Sequence, residues 1–155
     1  LSLNLTPEAA ARLVGVFILG GVVFQFPLGL IADRTNRDNV LYIAAAISAL
    51  TLLLVPLLWH VSIMLYLLIF LSGGLIGSFW TIPLMLFGDK FHGSDLASVN
   101  SVSAILYGLG STIGPSVVGT CMLWSSHGLM FAMAAPMVGL TIAALLYQFL
   151  PWNRP

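Results

Sequence analysis

What this chain lacks above all is charge. Five Lys or Arg and five Asp or Glu make up 6% of its 155 residues, against roughly 25% in a soluble domain. A surface so poor in charge cannot be kept wet, which excludes an ordinary soluble domain. The two signs cancel, Arg12, Arg34, Arg37, Lys90 and Arg154 standing against Glu8, Asp33, Asp38, Asp89 and Asp95. Without a net charge or a basic run there is no footprint for nucleic acid and no polybasic site for lipid headgroups. The single Cys121 permits no intramolecular disulfide, and in its apolar run it reads as a small buried hydrophobe. The first dozen residues hold no basic n-region followed by a cleavable apolar core. No signal peptide is therefore expected, and the first hydrophobic segment is itself the membrane address.

What is present is hydrophobic: 59% of the residues are apolar or aromatic and the mean hydropathy is +1.06. No Asp, Glu, Lys or Arg occurs between Asn39 and Gly88 or between Leu96 and Asn153. Each stretch is long enough to cross a bilayer twice, since one helical span takes about 20 apolar residues. The chain thus reads as an all-α, polytopic transmembrane helix bundle in one membrane domain over 1–155. Its five spans fall near 10–32, 40–59, 63–88, 96–124 and 129–150. Thr6-Pro7-Glu8 opens the first, with Thr6 as N-cap, Pro7 at the first helical position and Glu8 on the positive end of the dipole. Arg12, four residues on, is placed to pair with Glu8. Ser94 and Asp95 offer caps for the fourth span, and a very tight connection at His60 and Ser62 joins the second to the third.

Five spans put the two chain ends on opposite sides of the membrane. Arg34, Arg37, Lys90 and Arg154 fall on one side and Arg12 on the other. By the positive-inside rule, loops 33–39 and 89–95 and the C-terminus are cytoplasmic. Trp59, Trp124 and Trp152 fall at span ends, where amphipathic rings suit the headgroup region. Glycines crowd spans one, three and four, and small residues mark helix faces that meet other helices in lipid. Those three spans are therefore expected inside, with two and five peripheral.

Asn100, Ser103, Tyr107, Gly110 and Gly114 recur at steps of three and four, so they share one face of span four. Two readings stand: a small-residue packing stripe, or part of the lining of a polar cavity. Pro115 beside Gly110 and Gly114 points to a bend or hinge. Gln25, deep in span one, must face protein or water, as an interhelical hydrogen-bond partner or a solute contact. Phe24, Gln25, Trp80, Thr81, Asn100, Ser103 and Tyr107 are the candidate cavity residues, being aromatic or polar on the three glycine-rich spans. Catalysis finds no support, because no base shares the layer of Ser103 or Ser111. No metal-ligand spacing links His60, His92 and His127, and no cofactor is implied.

The segment Gly29-Leu30-Ile31-Ala32-Asp33-Arg34-Thr35-Asn36-Arg37 joins two membrane helices. It resembles the loop signature of the major facilitator superfamily: a Gly, then Asp and Arg four and five residues later, then a basic residue. Gly110-Ser111-Thr112-Ile113-Gly114-Pro115 is similar to a motif of that superfamily's eleventh helix. The resemblance covers the whole chain and implies five spans, helices eight to twelve, of a C-terminal six-helix half. Asn36 stands where the family often has Gly, and Asp38 where it often has a second basic residue. The resemblance implies a secondary transporter that moves a small organic solute by alternating access. Gly29, Asp33, Arg34, Arg37 and Asp89 would form a conformational latch, Gly29 permitting tight helix contact. The partners implied are the seventh helix and the N-terminal half, the lipid bilayer and the solute; the membrane would be a plasma or bacterial inner membrane. The alternative is a non-transporting membrane scaffold or sensor descended from a transporter.

Overall fold

The computed structural model describes residues 6–58, 60 and 62–149, so Trp59 and Trp152, and with them the C-terminal residues 150–155, lie outside the described residues. The described residues form five helices: α1 (Pro7–Arg34), α2 (Arg37–Leu58), α3 (Ser62–Lys90), α4 (Gly93–Trp124) and α5 (Gly128–Phe149). All five are long and apolar enough to cross a membrane. Each boundary lies within three residues of the span read from hydropathy. Thr6 caps α1 as expected, its hydroxyl accepting from the Ala9 amide at 3.3 Å, and each helix holds one internal proline, Pro27, Pro56, Pro83, Pro115 and Pro136.

Two expected terminal contacts do not form. Glu8 and Arg12 make no ion pair among the described residues; an exposed pair of long side chains gains little, and the free amides of the helix start compete for the carboxylate. α4 begins two residues too early for a Ser94 cap and three too early for one from Asp95. Gly93 turns the chain at φ +57°, a conformation that favours glycine, so His92 takes the N-cap position without a side-chain bond.

The closest helix contact joins α1 to α3. A Cβ on Gly20 would lie 2.0 Å from the Phe70 carbonyl oxygen, and one on Gly73 2.0 Å from that of Phe17. The two backbones touch where no side chain fits. α2 lies against α3 on one side and α5 on the other, and α4 packs along α5, touching α3 only lightly.

The glycine count does not predict which helices are covered. α2 lacks glycine yet buries Val40, Ala44, Ala45, Ser48, Ala49, Thr51, Leu52 and Val55, whereas glycine-rich α4 buries no residue. Alanine and serine serve close approach as well as glycine does, and α2 supplies them at Ala44, Ala45, Ser48 and Ala49. The hydroxyls buried there are satisfied. Thr51 donates to the Ser48 carbonyl at 2.9 Å and Ser48 to that of Ala44 at 2.7 Å. Ser72 Oγ of α3 lies 2.9 Å from Thr51 Oγ1 and 2.7 Å from the Leu68 carbonyl, its one hydrogen shared between them.

Gly20→Ala and Gly73→Ala should each cost about 1–3 kcal/mol through forced separation of α1 and α3. Gly15→Ala, where a Cβ meets open space, should stay within about 0.5 kcal/mol. Equilibrium unfolding of the full-length protein in detergent checks the contrast; equal effects at Gly15 and Gly73 would refute the close-contact account.

Candidate functional site

The loop between α1 and α2 is built by local capping. Thr35 donates to the Ile31 carbonyl at 2.6 Å and so closes the end of α1. Asn36 Oδ1 accepts from the Asp38 amide at 2.9 Å and the Asn39 amide at 3.3 Å, which makes Asn36 the N-cap of α2. Asparagine is among the strongest N-caps because its side chain satisfies amides that the first helical turn leaves free. The residue that departs from the loop signature therefore has a structural role here. Asn before a helix start is a readable signal that the signature comparison masked.

Arg37, first residue of α2, is held by three acceptors on two other helices. Its Nη2 donates to Asp33 Oδ1 of α1 at 3.0 Å. Its Nη1 donates to Asp89 Oδ2 and, at 3.1 Å, to the Met85 carbonyl, both of α3. A planar guanidinium carries enough donors in fixed directions to do this, and an ammonium does not. One side chain thus ties the charged ends of α1, α2 and α3. The Arg37 side chain is 20% exposed, while those of Asp33 and Asp89 are 51% and 58% exposed. Charge pairs open to water contribute little to stability. Arg34 makes no ion pair among the described residues. Gly29 departs from expectation too: a Cβ there would meet nothing within 4 Å, so no described helix packs against it.

Farther along the helices lie the candidate cavity residues. Phe24 is part of the α1–α3 contact, set edge-on to Phe70 with centroids 5.6 Å apart and lying where a Cβ on Gly74 would be. Trp80 of α3 and Tyr107 of α4 meet with ring centroids 4.9 Å apart and planes tilted by 58°. Asn100 and Ser103 share the face of Tyr107, Asn100 exposed and Ser103 half-buried. Gln25 is exposed and Thr81 half-buried, and no contact ties either to the Trp80–Tyr107 pair. At 1.5 Å per residue, Gln25 lies about 14 Å along its helix from Arg34, while Trp80 lies about 15 Å from Lys90 and Ser103 about 15 Å from Gly93. The stripe on α4 has no covering helix at Gly110 or Gly114, where a Cβ would meet nothing within 4 Å. α4 itself runs continuously past Pro115.

These residues share one property. None of the polar groups of Gln25, Trp80, Thr81, Asn100, Ser103 and Tyr107 makes a side-chain hydrogen bond to another described residue. Most other hydroxyls on the helices turn back onto a carbonyl of their own helix, as Ser98, Ser101, Ser111, Thr112, Thr120 and Thr141 do. A polar group left unpaired in hydrocarbon costs several kcal/mol, roughly 4–8 on a water-to-cyclohexane scale.

At the opposite end of the bundle, all five helices border an open cavity of about 360 Å³, α4 through Met122 alone. Its walls are almost wholly apolar, Phe17, Leu52, Ile69 and Met130 among them, with Ser126 and His127 at the α4–α5 turn. None of the candidate cavity residues lines it. No group of three or more His, Cys, Asp or Glu able to hold a metal occurs among the described residues.

Five spanning helices define an all-helical integral membrane protein. The family model of the Major Facilitator Superfamily matches residues 1–155, and the chain belongs to that superfamily. A relative in Bacillus subtilis (strain 168), named an uncharacterized MFS-type transporter, YfkF, is 26% identical over 154 residues. The match takes in 99% of this chain and 39% of the relative, so the chain spans well under half the length of the transporter it matches. No solved structure matches.

Asn36→Ala should lower stability by about 0.5–2 kcal/mol, whereas Asn36→Gly should cost only a few tenths of that unit. Amide hydrogen exchange over the first turn of α2 reports the difference; equal exchange in the two variants would refute the capping role.

Proposed function

We propose that this chain is part of a secondary transporter that carries a small organic solute by alternating access. The observation that carries the reading is the set of unpartnered polar groups at membrane depth on α1, α3 and α4. Such a set is costly against lipid and useful against a water-filled path between two halves of a protein. Membership in a superfamily of transporters, which are generally not enzymes, supports the same reading. The rest of the transporter, a seventh helix and an N-terminal half, would face α4 and close the path. Loops 33–39 and 89–95 would lie in the cytoplasm, where the excess of Arg and Lys belongs, and a bacterial inner membrane is the membrane proposed.

In this reading the Arg37 clamp is the latch. Asp33, Arg37 and Asp89 hold the cytoplasmic ends of three helices in one arrangement, and exchange of these bonds for water accompanies the opposite one. Arg34, which makes no ion pair among the described residues, and Gly29, where a Cβ would meet nothing within 4 Å, are the parts of the motif left to meet the other half. Gly110, Gly114 and Pro115 supply the hinge in α4. The Phe24, Gln25, Trp80, Thr81, Asn100, Ser103 and Tyr107 set contributes the solute path from this half.

The test needs no known solute. Ser103→Cys, placed in full-length protein freed of other cysteines, is labelled with a membrane-impermeant maleimide in vesicles of either orientation. Alternating access predicts labelling from both sides. Asp33→Asn should raise the cytoplasmic share by about threefold, the size of a modest coupling energy, at unchanged expression. Labelling from one side alone would sink the transport reading; an unchanged ratio in Asp33→Asn would sink the latch.

A further inference from the structure

Trp80 and Tyr107 are oddly placed for lipid anchors. Aromatic belts lie at helix ends, as Trp124 does with 85% of its surface exposed. Trp80 lies about 15 Å along its helix from Lys90, and Tyr107 about 21 Å from Gly93, well inside the hydrocarbon layer. The two residues are nevertheless 47% and 63% exposed, and their ring centroids lie 4.9 Å apart. The indole N–H and the phenol O–H have no hydrogen-bond partner among the described residues. Lipid chains cannot supply one. Two aromatic faces and two open polar tips are thus presented together, with no cover from the described helices and at a depth that interfacial anchoring does not account for.

We infer that Trp80 and Tyr107 form the stacking platform of a site for a flat, uncharged, aromatic solute, with the Tyr107 hydroxyl and Ser103 as its hydrogen-bonding groups. The inference rests on the transport reading and gives its solute a chemistry. Rings at this separation and tilt leave partly open faces, and a third ring joins such a pair offset or edge-on at about 4.5–7 Å, gaining roughly 0.5–1.5 kcal/mol per ring pair beyond burial. Ser103, one turn from Tyr107 on the same face, has a hydroxyl not committed to its own helix, unlike that of neighbouring Ser101. Charge argues for neutrality. No ionised side chain occurs between residues 39 and 88 or between 96 and 153, so α3 and α4 hold no counter-ion within the membrane for a charged solute. Leaving water without one is expensive.

The experiment uses full-length protein in nanodiscs with all tryptophans changed to Phe except Trp80, beside a second protein that keeps only Trp124. The probe is 4-nitroaniline, a flat neutral ring that quenches indole fluorescence. Saturable quenching of Trp80 is expected, with linear quenching of Trp124 from partition into the bilayer. Tyr107→Ala should raise the half-saturating concentration at least fivefold, and Tyr107→Phe, which keeps the ring and controls for folding, less than threefold. Quenching of Trp80 that is linear, or indifferent to Tyr107→Ala, overturns the site. Protection of Trp80 by tetramethylammonium better than by phenol overturns the neutral specificity. The failures separate: two-sided labelling of Ser103→Cys with linear quenching removes the aromatic site alone, whereas one-sided labelling removes transport whatever the quenching shows.

Discussion

Everything else in the bundle hangs on the backbone contact between α1 and α3. At Gly20 and Gly73 each helix presses on a carbonyl of the other, and a single methyl group would part them. In a lipid solvent there is no hydrophobic gain from bringing apolar helices together, so such close packing supplies the attraction. The contact also sets what happens at both levels below it. It brings Phe24 onto Gly74 and Phe70, and it holds the far ends of α1 and α3 close enough for one arginine of α2 to reach Asp33 and Asp89.

Polar groups divide into two populations by what satisfies them. Those between α2 and α3 are paired, Ser48, Thr51 and Ser72 with carbonyls or with one another, and they knit the covered part of the bundle. On the open faces of α1, α3 and α4, several hydroxyls turn back onto their own helix, as Ser98, Ser101, Ser111, Thr112 and Thr120 do, whereas Gln25, Trp80, Thr81, Asn100, Ser103 and Tyr107 have no hydrogen-bond partner among the described residues. An unpaired polar group is costly in lipid, and on that ground the second population is the one we propose for the solute path. α4 fits this division, since it buries no residue and is the helix most open to further protein or water. The Arg37 clamp adds a contrast in strength: glycine contacts hold α1 to α3 in the interior, while exchangeable charges hold the ends.

Much of this was legible in the residues. Charge-free stretches and hydropathy placed five helices to within three residues, and Thr6-Pro7 marked the first helix start. The Gly29-to-Arg37 segment pointed to the superfamily. Glycine content misjudged which helices are covered, because alanine and serine pack as closely when a neighbour is present. Local spacing also overcalled the Glu8–Arg12 pair and the Ser94 cap, since a spacing states what can meet and not what competes. Asn36 departs from the motif, and its capping chemistry is equally visible in its place before a helix start.

By itself the sequence determined the solvent of this protein, the number and limits of its helices and the end of the bundle at which charge collects, because each follows from composition along a single segment. The tertiary structure decided the rest. That Arg37 and not Arg34 spans two carboxylates, that Trp80 meets Tyr107, and that α2 is covered while α4 is open depend on the approach of segments far apart in the chain. Such approach is set by backbone fit at a few small residues, which no periodicity along one helix can report.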